Sequence, residues 1–362
     1  MKVMTILGTR PEIIRLSLII KKLDKAVKHV LVHTGQNYEK KLNGIFFKDL
    51  DLRAPDHYLG ARADSFGSQA AIIIQKIEKL FLDLKPDRVL VLGDTNSGLS
   101  SIVAERMMIP VYHMEAGNRC YDLKVPEEKN RRIIDSISSF ALPYTPGSRE
   151  NLIREGLPKQ RIFISGNPIF EVLTHYQDRI DASSILDRMG LEEKKYFLVT
   201  AHRSENVDTR PMLQKILRGL ELVLKKYGLP VVVSVHPRTR HKLEKFKLAP
   251  KNKKMVLSGP FGFFDFVKLE KNALCVLTDS GTVQEECCIF HVPAVTMRDT
   301  TERPETVECG SNIVSGLEPD NIVQCTGIML SGGRAWDYPE GYRDENVSDK
   351  IVKYITGEYS YV

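Results

Sequence analysis

The sequence predicts an α/β protein made of two doubly wound units, each built on a parallel sheet. Two observations predict this. Short apolar runs recur along the chain, and stretches with apolar residues three and four apart lie between most of them, which is the pattern of right-handed βαβ units. The chain also has 362 residues, long for one core when a domain holds roughly 100–200 residues.

The strand-like runs are Val3–Leu7, Val30–His33, Arg88–Leu92, Pro110–Met114, Arg161–Ile164, Phe197–Thr200, Val231–Val235, Cys275–Thr278 and Ala294–Met297. Ile13, Leu16, Ile20 and Leu23 mark the first intervening helix. Turn residues Gly166-Asn167-Pro168 predict a first domain over 1–166 and a second over 167–344. A last helix over 345–356, set off by the turn-rich Tyr338–Arg343, is expected to pack back on the first domain. The start, MKVMTILGTRPE, reads as a strand rather than a leader, because Arg10 and Glu12 follow its apolar run at once.

Composition narrows the partners. No apolar run approaches the ~20 residues that span a bilayer, so no membrane insertion is expected. A net charge of +6 is mild for this length. The basic stretch from His241 to Lys254 lacks interleaved aromatics and reads as a solvated face, so no nucleic-acid partner is expected. Six cysteines without a C-x-x-C pair read as reduced thiols in a cytoplasmic protein.

Three motifs, GDTNS at 93–97, MEAGNR at 114–119 and DSGTVQEE at 279–286, each follow an apolar run and open a helical pattern. That places them at the carboxyl edge of a sheet, where open α/β sheets bind ligands. Asp94, Glu115 and Asp279 stand there beside helix N-termini suited to anions. Carboxylates alone repel phosphate, so the combination suggests a phosphorylated ligand on which protons are moved.

Each candidate also has a plainer reading. GTRPE at 8–12 lacks the spaced glycines of a dinucleotide fingerprint; Arg10 either meets a phosphate or stays on the surface. Asp94 is a ligand contact or a helix N-cap. Glu115 ends a strand that should be buried on both faces, where an unpaired carboxylate is costly. Glu127 and Glu128 occupy a first helical turn, which favours acids in any case. His202 and His236 sit just past strands, each near an arginine, as ligand contacts or caps. Ser280 and Gly281 offer backbone N–H groups at a helix start, with Glu285 and Glu286 one turn on, unless the motif is only a capping box.

Taken together, GTRPE, GDTNS, HMEAGNR, VPEEKNRR, SGNP, TAHRSENVD, VHPRTR, LTDSGTVQEE and MRDTTERPE occur in this order over essentially the whole chain. With these motifs the chain resembles the non-hydrolysing UDP-N-acetylglucosamine 2-epimerase family. The resemblance implies two Rossmann-like domains in a glycosyltransferase-B-like arrangement, with the active site in the interdomain cleft. It implies interconversion of UDP-GlcNAc and UDP-ManNAc through 2-acetamidoglucal, with no NAD and no metal, by a homodimer. Asp94, Glu115, Glu127 and His202 match the family's catalytic positions. Arg10, Arg15, His202, His236, Ser280, Gly281, Thr282 and Glu286 match its UDP-sugar contacts, Glu286 at the ribose.

The chain departs from the family in places. Arg15 stands where a lysine is usual, and Thr282 replaces a second glycine. The connection from Arg119 to Pro126 is shorter than in the common bacterial enzymes. Allosteric members use a pair of glutamines, of which this chain keeps Gln36 and has Glu39 at the other. The short connection, with TGQNY, PFGFFDF and NVSDK, is similar to a subgroup that epimerises UDP-2-acetamido-2,6-dideoxy-L-talose. A glycosyltransferase on the same fold is the alternative, and an acid trio around one carbon argues against it.

Overall fold

A computed structural model describes residues 1–36 and 40–358, so Glu39 lies outside the described residues. The chain forms two compact units. One runs from Met1 to His175 and takes up the chain again from Glu340; the other is Tyr176–Pro339.

The first unit holds β1 (Lys2–Leu7), β2 (Lys28–His33), β3 (His57–Tyr58), β4 (Arg88–Leu92), β5 (Val111–Met114) and β6 (Phe140–Leu142). They pair in parallel in the order β3-β2-β1-β4-β5-β6. The order reverses between β1 and β4, and the crevice beyond that point is where such sheets take their ligands. GTRPE follows β1 and GDTNS follows β4.

Residues of β1 and β4 are buried almost throughout, as expected for parallel strands covered on both faces. The helix Arg10–Ala26 turns Ile13, Leu16, Ile20 and Leu23 inward and starts with Pro11 in its first turn. Two later helices pack on it, Pro168–His175 and Val347–Thr356. Tyr354 of the last helix stacks on Phe163 and meets Tyr112 and Phe140 edge-on. The first unit thus runs past the turn at Gly166 to His175, because Ile169, Val172 and Leu173 bury the apolar face of helix Pro168–His175 within it. Chain return likewise begins at Glu340 rather than 345.

The second unit repeats the plan with β7 (Phe197–Thr200), β8 (Val231–Ser234), β9 (Met255–Ser258), β10 (Cys275–Thr278), β11 (Ala294–Thr296) and β12 (Asn312–Val314). The order β12-β11-β10-β7-β8-β9 places its switch point between β7 and β10. His202 follows β7, and DSGTVQEE follows β10. The helix Arg210–Tyr227 buries Leu213, Ile216, Leu220 and Val223 on this sheet. A Cβ at Gly219 would lie 2.7 Å from Ile322 Cδ1, so the glycine lets the helix Pro319–Ser331 pack here without displacing that side chain.

One expected strand is corrected. Arg161–Ile164 makes only a single bridge, Ile162 to Ala141, after a 3₁₀ turn at Lys159–Arg161. The six cysteines are free thiols. Among the described residues, no helix is long and apolar enough to cross a membrane.

Candidate active site

At the first switch point the chain leaves β1 through Gly8 and Thr9. A Cβ on Gly8 would stand 2.2 Å from Thr34 Oγ1 and 2.3 Å from Ser97 Oγ, so only glycine fits. Those two hydroxyls bond each other at 2.7 Å and join the ends of β2 and β4. Glu12, one turn into the helix, accepts the Gly8 and Thr9 N–H groups on Oε2, both at 2.6 Å. Its other oxygen accepts Thr95 Oγ1 at 2.6 Å. Burial raises the Glu12 carboxyl to about 7 despite these donors. Arg10 is half-buried at the helix start, its guanidinium 5.8 Å from the Phe46 ring centroid.

Glu115 follows β5 with φ at 63°, a left-handed conformation that is rare for a residue with a Cβ. Its Oε2 accepts Arg15 Nη1 at 2.5 Å and lies 3.4 Å from the Tyr144 hydroxyl. A Cβ built on Gly93 would be 3.9 Å from the same oxygen, so the Glu115 carboxylate overlies the turn that carries Asp94. The cost feared for an unpaired acid here is met by a buried arginine. Backbone strain of this kind, held by its surroundings, clusters at functional sites.

Asp94 does not cap the following turn; Thr95 does, accepting the Ser97 N–H. The Asp94 carboxylate instead accepts Arg131 Nη2, and its main-chain oxygen accepts Asn130 Nδ2 at 3.0 Å. Arg131 is buried and reaches Glu128 with Nη1 at 2.8 Å. The two adjacent acids therefore separate. Glu128 is fully buried among Cys120 N–H, Arg131 and Arg132, which together outweigh its burial and hold it below the usual carboxylate range. Glu127, beside it in the helix Pro126–Ile137, is only half-buried.

Behind these acids His113 bonds Asp135 through Nδ1 and the Gly93 carbonyl through Nε2, each at 2.8 Å. Asp135 also accepts the Gly117 N–H at 3.1 Å and pairs with Arg119. This network ties the ends of β4 and β5 together beneath Asp94 and Glu115.

At the second switch point Asp279, fully buried, accepts the His202 and Arg203 N–H groups at 2.8 Å each and Asn206 Nδ2 at 3.1 Å. It shapes the loop after β7 rather than facing a ligand. His202 keeps about a third of its side chain exposed, with Nδ1 3.2 Å from Asp279 Oδ1. Its ring lies 5.6 Å from that of His236, which caps the helix Pro237–Phe246 by accepting the Arg238 N–H.

Ser280 makes no side-chain cap bond to the helix Gly281–Ile289; its hydroxyl meets Thr282 Oγ1 at 2.9 Å. The capping-box reading of this motif therefore fails. A Cβ on Gly281 would stand 3.6 Å from Arg303 Nη2, so a guanidinium flanks the helix start. Arg303 is held by Glu285, and Glu302 clasps Arg203 at 2.6 Å and Arg298 at 2.5 Å. Glu285 is thus an internal partner. Glu286 is nearly buried, backed by Glu270, whose carboxyl is driven well above its usual range by burial and by Glu286.

Spacing along the chain does not mark Glu12, Arg131, Asp135 and Arg303 as parts of these arrangements. Glu12 has only a local signal, the Thr9-x-x-Glu12 spacing of a capping box. The others act across the fold. Among the described residues no three His, Cys, Asp or Glu side chains gather to hold a metal ion.

Two Rossmann-like α/β units, one with acids at its switch point and the other with a cation-flanked helix start, are the class of fold and site that takes an anionic ligand at the carboxyl edge of its sheets. The family profile for UDP-N-acetylglucosamine 2-epimerase matches residues 21–356. The UDP-N-acetylglucosamine 2-epimerase of Methanocaldococcus jannaschii is 40% identical over 99% of this chain and 100% of its own length. A crystal structure of the M. jannaschii UDP-GlcNAc 2-epimerase, in complex with UDP-GlcNAc and UDP, superposes with a TM-score of 0.94 at 40% identity, covering 98% of this chain and 99% of that one. The UDP-2,3-diacetamido-2,3-dideoxy-D-glucuronate 2-epimerase of Pseudomonas aeruginosa is 34% identical over 98% of this chain and 99% of its own. The chain belongs to the non-hydrolysing UDP-N-acetylglucosamine 2-epimerase family, and is an isomerase.

Proposed function

We propose that the protein inverts C2 of a UDP-linked 2-acetamido sugar, interconverting UDP-GlcNAc and UDP-ManNAc without releasing free sugar. One observation carries the mechanism: the Glu115 carboxylate, paired with buried Arg15, overlies the Asp94 turn at the switch point of the first sheet. Likeness to the M. jannaschii enzyme, solved with UDP-GlcNAc and UDP, supports the substrate.

The C2 proton passes to a carboxylate as the C1–O bond breaks, its electron pair leaving with UDP and the C2–H pair forming the C1=C2 bond of 2-acetamidoglucal. UDP then adds back at C1 while an acid protonates the opposite face of C2. The sequence is redox-neutral and so calls for no NAD. Inversion needs proton-transfer groups on both faces, and Asp94, Glu115 and Glu127 supply them. In the second unit His202, Ser280, Gly281 and Thr282 receive the departing diphosphate with imidazole, hydroxyl and backbone donors, and Arg10 of the first unit offers a guanidinium to a phosphate. His236 supports the His202 ring, and Glu286 accepts ribose hydroxyls. Protein and UDP-sugar meet in the cytoplasm, and the working form is a homodimer, which sedimentation equilibrium tests.

The short Arg119–Pro126 connection favours a second substrate, UDP-2-acetamido-2,6-dideoxy-L-talose, for the same chemistry. The test is Glu115→Gln, which preserves shape and removes the base. Exchange at C2 should fall by roughly 10²–10⁴-fold with UDP still bound. Near-full exchange by the variant would remove Glu115 from the mechanism.

A further inference from the structure

We propose that Glu12 is a positioning residue that locks the phosphate-binding turn after β1 to the acid-bearing turn after β4, an inference that rests on the epimerase reading above. A capping-box glutamate needs only to accept the N-cap N–H. Glu12 does that and more: Oε2 takes both the Gly8 and Thr9 N–H groups, and Oε1 takes the hydroxyl of Thr95, 83 residues away.

The two turns it joins carry the groups that must be held at fixed spacing. Arg10 immediately follows Thr9, and Asp94 immediately precedes Thr95. Thr95 donates to Glu12 while its oxygen accepts the Ser97 N–H, so one hydroxyl ties the carboxylate to the 3₁₀ turn Asn96–Leu99. On the other side of the same junction Gly8 is wedged against the Thr34–Ser97 hydroxyl pair. Glu12 is 1% exposed, and burial raises its carboxyl to about 7, so the group is kept at an energetic cost that helix capping alone does not require. Misplacing catalytic groups by about 1 Å can cost roughly 10²-fold in rate, which gives the brace its kinetic value.

The experiment measures kcat and KM for UDP-GlcNAc epimerisation, with unfolding curves, for wild type, Glu12→Gln, Glu12→Ala, Thr95→Val and the Glu12→Ala/Thr95→Val double variant. Glutamine can accept both backbone N–H groups with its carbonyl and donate its amide to Thr95 Oγ1. Glu12→Gln should therefore stay within about threefold of wild-type kcat, while Glu12→Ala falls about 10²-fold. Thr95→Val should lower kcat with little change in KM, because the Gly8–Thr9 bonds beside Arg10 persist. In the double variant the losses should not add. Wild-type kcat in Thr95→Val, or additive losses in the double variant, would overturn the proposal. If Glu12→Ala does not fold, Thr95→Val and the glutamine rescue still decide. A wild type inactive on both UDP-GlcNAc and UDP-2-acetamido-2,6-dideoxy-L-talose would instead overturn the epimerase reading itself.

Discussion

Arg15 and Glu115, 100 residues apart in the chain, form an ion pair at 2.5 Å with both side chains almost closed to water. The arginine sits on the second turn of the first helix; the glutamate ends β5 in a left-handed conformation. Each explains the other. A buried guanidinium needs an anion, and a strained carboxylate needs something to hold it over the Asp94 turn.

Removing the arginine should expose this dependence. Arg15→Ala leaves the Glu115 carboxylate buried without its cation, and breaking such a pair costs about 3–5 kcal/mol. Arg15→Lys keeps the charge and should lose less. Urea unfolding of the three proteins checks the order, and equal midpoints for wild type and Arg15→Ala would contradict it.

Gly281 offers a test that separates binding from folding. A Cβ there would make ordinary 3.6 Å contacts with Arg303 and Glu302, so Gly281→Ala should fold with unchanged or slightly raised stability. It would also push a diphosphate away from the helix start. We expect UDP to bind about tenfold more weakly, a change of about 1.4 kcal/mol, by isothermal titration. Unchanged affinity would remove this helix start from the UDP site.

The buried Glu12 carboxyl predicts a pH signature. Burial raises it from 4.5 to about 7. Between those values the folded protein holds a proton that the unfolded chain has released, so this group makes stability fall as pH rises through that window. Glu12→Gln cannot titrate. Comparing unfolding free energies at about pH 5 and about pH 8, wild type should lose stability relative to Glu12→Gln at the higher pH. A difference that does not change between the two would show that the carboxyl is not shifted.

The sequence carried the fold further than the site. β1, β4, β5, β7, β8 and β10 are runs long enough for apolar patterning to reveal, and they are the strands whose ends carry the candidate residues. β3, β6 and β12 are two or three residues long and leave no period to read, whereas β11, equally short, lies in an apolar run that extends to Met297. Arg161–Ile164 looked like a strand because an apolar run cannot tell a ladder from a single bridge. In the candidate site, spacing marked Asp94, Glu115 and Gly281 as candidates but not the guanidinium groups beside them, since Arg131, Arg15 and Arg303 arrive from other segments. Glu127 and Glu128 share one helical turn, and only packing separates a buried, arginine-bound acid from a half-buried one.

Inversion at C2 through a glucal returns a sugar still linked to UDP. Proton NMR of UDP-GlcNAc incubated with the protein in deuterium oxide follows both events at once. Loss of the C2 proton signal together with growth of a manno anomeric signal still coupled to the diphosphate is the expected result. Accumulation of free N-acetylmannosamine with UDP, or a C2 proton that persists while UDP-ManNAc forms, would contradict it.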